Sequence, residues 1–520
     1  MTTDSIHLLT KSVAIAEILI AQVPRDQPQQ RSLMVTRYWK TCSLLISALM
    51  ENKRLYEAFV YSERAKILSS LPEFDIPPPS CEAEAIGSII EIVNFLPDDN
   101  TAILTFYWGH QNAFGWIVKK GRQQIFNLKM PFVRGGFLGP WLGEHFAGKV
   151  NELLISYFRE RFDTPEQSKS FICFLGRKSI KETFDWEVKS NEPDIDDVKR
   201  LNHHVGLANQ IASATYLYQV LFKQAEPALY GIKKILVVPD ACLHYIPFEA
   251  LIEEDIKSDY STYSQSTEFL IKKYVFSYLP SVYFLNNTNN KTQFRFRHNA
   301  SLQFVGFGNP NFSDSLFSIF QAMRIGPLPE TEKEIKAIAN IFSKQNRLEN
   351  IFPKSFLGNE ATKQNFLVEA PSATHLHIAT HGGAFFDDDP NLYSLLFSSY
   401  AETWTSFAEK ALLKPDEIAK LQLCADLVVL SVCRSGMGKY QPGEGLLGFA
   451  QAFLKAGAKS VLVGLWNVED EKSSIFMNDF YSALFSGESI AESCAFAKRE
   501  MMKRDPDPFY WAPFIVYGGF

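Results

Sequence analysis

Two side chains in this sequence are of the types that together make a nucleophilic site, His381 and Cys433. Each follows an apolar run. Leu376, Ile378 and Ala379 lead into His381, Gly382 and Gly383, and Leu427 to Leu430 lead towards Cys433 and then Ser435-Gly436. A thiol becomes a strong nucleophile when a neighbouring base or positive charge favours its thiolate. Acyl transfer also needs amide donors aimed at the developing oxyanion, and the backbone N–H groups of Gly382 and Cys433 are the natural candidates. The pattern alone leaves a plainer reading equally open, since cysteine is often a packing residue and glycine often ends a strand. The two residues are 52 positions apart, so only the fold can bring them together.

The elements that must position them follow from the same runs. Short β-branched-rich stretches bounded by glycine and polar residues read as buried strands. In an open parallel sheet, ligands bind beyond the carboxyl ends of such strands, where His381 and Cys433 are expected. Further strands are expected at Ile235–Val238, in FLIKKYVFSYLPS, in SLQFVGFGNPNF and at Ser460–Leu465, with helices at Glu330–Phe342, Pro415–Lys420 and Gly448–Ala456. Strands alternating with helices predict an α/β fold with a doubly wound, mostly parallel sheet. Residues 1–75 read as helical. Within them, CSLLISALMENKRLYEAFVYSERAKI has the form of one tetratricopeptide-like hairpin turning at Glu51-Asn52-Lys53, with Ala58 and Ala65 at the helix contact. Four prolines between Pro72 and Pro79 mark a linker. Residues 81–224 are expected to form an α+β support (pseudo-protease) subdomain, and residues 225–520 the domain that carries His381 and Cys433.

Composition bounds the function classes. The 520 residues carry 46% hydrophobic residues and a net charge of −6, which suits a chain with large cores and offers no basic face for nucleic acid. Seven cysteines without regular spacing point to a reducing, cytoplasmic setting with free thiols. The opening MTTDSIHLLTKSVAIAEILI lacks the basic start and unbroken apolar core of a signal peptide, and no run approaches the roughly 20 apolar residues of a membrane span.

The remaining polar landmarks have modest expectations. His375 and His377 share one strand face, but no carboxylate or cysteine completes a metal set at ligand spacing, so no metal and no cofactor is expected. His244 is expected to make a structural hydrogen bond. Gly306 and Gly308 lack the full dinucleotide fingerprint and read as a close-packed turn. Cys42, Cys81, Cys173, Cys242, Cys424 and Cys494 read as packing residues.

The run His375–Gly383, the run Asp426–Gly436 and the following GEGLLGFAQAFLKAGAKSVLVGLWNVED resemble the CHAT family, caspase-like (clan CD type) cysteine peptidases commonly joined to tetratricopeptide repeats. LVVPDACLHYIPFEAL resembles that family's opening strand and DPFYWAPFIVYGG its closing one. The resemblance implies a caspase-like fold, His381 as base, Cys433 as nucleophile, and a specific protein as substrate. The long insertion between His381 and Lys414 is placed to gate the cleft, so an endopeptidase latent until a regulatory protein or effector complex engages the helical N-terminal region is expected. Family members act in cell-differentiation control and as proteases under CRISPR effectors, so signalling and antiviral defence are the settings implied. The competing expectation is a catalytically silent caspase-like scaffold. GLWNVEDEK further resembles the LWxVxD stretch of separase, in which an acidic residue holds arginine. That likeness makes Asp470 and Glu469 candidates for a basic-residue pocket walled by Trp466, against a simple role for Asp470 as cap of a helix beginning near Glu471.

Overall fold

The computed structural model describes residues 3–23, 28–70, 96–108, 113–120, 128–129, 211, 214–215, 217–240, 243–244, 246–253, 266–285, 302–313, 320, 325–345, 353–384, 393–432, 439–441, 445–466 and 468–519. Cys433, the proline-rich linker, Cys81, Cys173 and Cys242 lie outside these residues.

Three helices come first, α1 (Thr3–Gln22), α2 (Pro28–Glu51) and α3 (Leu55–Ser70). The expected turn falls at Asn52–Arg54, and Ala58 and Ala65 are buried where the helices pack. A buried carboxylate joins all three. Glu17 of α1 receives two hydrogen bonds from the Arg64 guanidinium of α3, at 3.1 and 2.6 Å, and one from the Tyr38 hydroxyl of α2 at 2.9 Å. Such forked pairing satisfies a charge that apolar surroundings would otherwise penalise.

Sixteen strands follow among the described residues. They are β1 (Thr101–Trp108), β2 (Ala113–Lys119), β3 (Leu128–Lys129), β4 (Lys234–Val238), β5 (Val275–Tyr278), β6 (Phe304–Gly308), β7 (Lys354–Leu357) and β8 (His375–Ala379). Then come β9 (Gly382–Ala384), β10 (Tyr393–Leu396), β11 (Leu412–Leu413), β12 (Leu427–Leu430), β13 (Lys439–Gln441), β14 (Gly445–Leu447), β15 (Val461–Gly464) and β16 (Phe514–Tyr517). Eleven of them form one sheet in the order β3-β2-β1-β4-β5-β16-β15-β12-β8-β6-β7. Its strands run parallel from β1 to β16 and from β15 to β7, with antiparallel pairing at β1–β2, β2–β3 and β15–β16. This is the α/β fold with a mostly parallel sheet that the alternating pattern predicts. Its central strands are buried, apart from half-buried Lys234 at the start of β4, as both faces of a parallel sheet must be covered.

The covering helices include α4 (Pro329–Gln345), α5 (Lys363–Glu369), α6 (Trp404–Ala411), α7 (Pro415–Ile418), α8 (Phe449–Lys455), α9 (Asp470–Phe485), α10 (Ile490–Arg504) and α11 (Pro508–Trp511). Gly306 and Gly308 lie within β6 rather than in a turn, which corrects the expectation for them. A Cβ on Gly306 would stand 2.8 Å from Ile335 of α4, so glycine lets that helix approach the sheet. The turn itself begins at Asn309, which holds a left-handed φ of 48°.

The N-terminal helices belong to the same body as the sheet. Glu63 of α3 is fully buried, and its carboxylate receives hydrogen bonds from Lys66 at 2.6 Å, Thr105 of β1 at 2.6 Å, Ser281 at 3.0 Å and the amide of Val282 at 2.9 Å. Helix α3 also packs against β14, which begins twelve residues after Cys433 in the chain.

Candidate active site

His381 stands two residues past the end of β8. Its backbone is held from β10, where Leu396 N donates to the His381 carbonyl at 2.9 Å and the Thr380 hydroxyl donates to the Leu396 carbonyl. Its side chain is held from elsewhere. Nε2 lies 2.6 Å from the carbonyl oxygen of Gly326. A carbonyl only accepts, so Nε2 carries a proton, and Nδ1 is the nitrogen that can gain or lose one. The Phe312 ring lies beside the imidazole, with centroids 6.4 Å apart.

The loop that offers Gly326 is itself fixed. Leu328 N donates to Asn309 Oδ1 at 3.0 Å, and Asn309 N donates to the Thr331 hydroxyl at 2.9 Å. Asn309 Nδ2 reaches Glu332 at 3.1 Å. Sequence reasoning missed this carbonyl, because a backbone acceptor has no residue signature. The signal nearest to it is the glycine-proline break before an amphipathic helix.

The candidates from sequence are related by one rung of the sheet. Ile378 of β8, Leu430 of β12 and Val463 of β15 are register partners on three adjacent parallel strands. His381, Cys433 and Trp466 each come three positions after their member of that rung. The Ser431 amide extends the pairing by donating to the Ile378 carbonyl at 2.9 Å. Gly382 opens β9, where it pairs with Leu395.

Trp466 is buried, and its Nε1 donates to the Phe509 carbonyl at 2.9 Å. Glu469 is exposed and occupies the position before α9, where its side chain makes no capping hydrogen bond. Asp470 is the first residue of α9, so the helix starts one residue earlier than the capping alternative for Asp470 supposes.

His244, His375 and His377 are core residues. His375 is buried beside Phe342 and pushed down to about 4, by burial above all. His244 is buried, pushed down to about 3 by burial and then by Lys66, and faces the Tyr517 hydroxyl at 3.5 Å. His377 does have a carboxylate partner, Glu334 of α4, although among the described residues no group of three or more ligating side chains could hold a metal. Cys42 and Cys494 are buried, as expected. Cys424 is exposed, which corrects its reading as a packing residue: it lies in the surface turn before β12.

An α/β protein with a mostly parallel eleven-stranded sheet and a histidine just past the end of a central strand is the class these observations define. The CHAT domain model matches residues 212–519, more than half of the chain, and the chain belongs to the CHAT domain family. It is 25% identical over 318 residues to tetratricopeptide repeat protein 28 of Mus musculus and over 319 residues to that of Homo sapiens. Each match covers 55% of this chain, which spans about 12% of the length of these relatives. Solved structures of the Saccharomyces cerevisiae separase–securin complex are similar at 12% and 13% identity, with TM-scores of 0.47 and 0.48. Those likenesses cover 99% and 98% of this chain and 40% and 37% of the other.

Proposed function

We propose that the protein is a cysteine endopeptidase that cleaves a specific protein substrate through Cys433 and His381. The observation that carries the reading is the shared rung, with His381 and Cys433 each three residues beyond register partners on adjacent strands. Neighbouring strands lie about 4.8 Å apart, a spacing that suits a proton transfer between side chains leaving their ends. Nδ1 of His381 takes the thiol proton as sulfur attacks the scissile carbonyl. The amides of Gly382 and Cys433 receive the oxyanion, and the imidazolium then protonates the leaving amine. Water, deprotonated by the same nitrogen, hydrolyses the thioester and frees the thiol.

A basic residue before the cut is the preference this reading assigns, with Asp470 and Glu469 supplying charge and Trp466 the apolar wall. A regulatory protein is expected on the helical N-terminal region. Leu8, Ile15 and Leu19 of α1 and Leu33 and Leu44 of α2 are exposed there, and α3 packs against β14. No described helix is long and apolar enough to cross a membrane.

A thiol-directed peptide electrophile tests the reading. It should label the protein at Cys433, and both Cys433→Ala and His381→Ala should abolish labelling and cleavage alike, because nucleophile and base act as one unit. Labelling that survives His381→Ala would leave a partner-binding CHAT module without peptidase activity. In a peptide panel varied only at the residue before the cut, the absence of an Arg or Lys preference would remove the acidic pocket.

A further inference from the structure

His377 is a buried histidine with a hydrogen-bond partner on each of two different helices. Its Nε2 lies 2.6 Å from Glu334 Oε1 of α4, and its Nδ1 lies 3.0 Å from the Tyr481 hydroxyl of α9. All three side chains are buried, and the chemistry proposed above uses none of them. A carboxylate and an imidazole inside a core are seldom more stabilising than apolar residues of equal volume. What they add is direction. Apolar contacts let a helix slide along a sheet at little cost, whereas two hydrogen bonds to opposite edges of one ring fix both helices against the strand.

The three elements so joined are the ones that meet at the candidate site. Helix α4 starts three residues after Gly326, whose carbonyl holds His381. Strand β8 carries His377 and runs directly into His381. Helix α9 begins at Asp470. A slip of α4 along β8 by about 1 Å would take the Gly326 carbonyl out of hydrogen-bond reach, and misplacements of that size are known to cost up to about a hundredfold in rate. We propose that His377 is a positioning residue for His381, anchored by Glu334 and Tyr481, and that this core triad keeps the imidazole in the orientation the thiol requires. The proposal rests on the reading of Cys433 and His381 as the reacting pair.

Alkylation of Cys433 by iodoacetamide, followed by mass analysis of its peptide from about pH 5 to about pH 9, tests both ideas without a known substrate. A thiol paired with His381 reacts well below its ordinary pKa of about 8.5, and His381→Ala loses that low-pH limb. Glu334→Gln and Tyr481→Phe, folded by near-ultraviolet circular dichroism, should each lose about tenfold of the same limb, as expected for a loosened imidazole. Anchor variants that keep the full wild-type profile overturn the positioning role. Should Glu334→Gln fail to fold, Tyr481→Phe, which removes a single oxygen, decides the matter alone. Identical profiles for the wild type and His381→Ala would instead overturn the reacting pair, and the positioning role with it.

Discussion

His381 Nε2 and the Gly326 carbonyl oxygen lie 2.6 Å apart across 55 residues of sequence. The ring orientation therefore depends on how firmly the Gly326 loop is tied, and Asn309 is its nearest tie. Asn309→Gly keeps the left-handed backbone accessible and removes only the side-chain clamp. It should slow Cys433 alkylation at neutral pH by about tenfold with a small change in melting temperature. Asn309→Ala adds backbone strain of roughly 1 kcal/mol. An unchanged alkylation rate in Asn309→Gly would mean that the loop holds itself.

Acid should weaken the fold before any carboxylate is protonated. His244 and His375 are pushed down to about 3 and about 4, mainly by burial, while an unfolded imidazole titrates near 6.5. Between about pH 6.5 and those folded values the unfolded chain binds more protons, so stability rises with pH and is lost as pH falls. Each proton contributes about 1.4 kcal/mol per pH unit. Urea midpoints measured from about pH 7 to about pH 5 should fall, and His375→Gln should flatten the slope by one proton. A flat wild-type profile would contradict this account.

Lys498 and Glu249 form a buried pair at 2.6 Å, with the Tyr278 hydroxyl donating to the same carboxylate. Glu249→Ala strands an ammonium in the core and should cost about 3–5 kcal/mol in urea unfolding. Replacing both partners, as in Glu249→Gln with Lys498→Met, should cost clearly less. Equal losses in the single and double variants would show that the charge is not what the site resists.

Thiol reagents should separate the described cysteines by environment. Cys424 is exposed, whereas Cys42 and Cys494 are buried and burial pushes both thiols up, Cys494 to about 12. Native protein should therefore be alkylated at Cys424, and at Cys42 and Cys494 only after unfolding. Fast native labelling of Cys494 would be inconsistent with its packing.

The strand ends were legible because a buried parallel strand reads as a near-continuous apolar run, as Leu427–Leu430 does before Cys433 and as Leu376, Ile378 and Ala379 do, between two histidines, before His381. The helix at residues 329–345 was legible from its 3.6-residue period. What stayed hidden depends on partners distant in sequence. His377 and Glu334 are 43 residues apart, and nothing local marks them as a pair. Cys424 was misread because its type and its apolar neighbours Leu423 and Ala425 suggest burial, although only those neighbours are buried and Cys424 is exposed. Gly306 was misread because a glycine packed under a helix and a glycine in a turn look alike in sequence.

Strand β16 lies between β5 and β15 and joins the two halves of the eleven-stranded sheet, although residues 514–517 follow every other strand among the described residues. Ser277 and the Gly518 amide bond across this seam to Val516 and Tyr278. During synthesis on the ribosome, the strands of the half bearing His381 and of the half bearing the N-terminal helices have all emerged before the strand that pairs with both. Their joining strand arrives only after more than 200 intervening residues, and contacts of such long separation form slowly. The nascent chain thus carries its own delay, since the body that supports a competent site closes only when β16 has emerged.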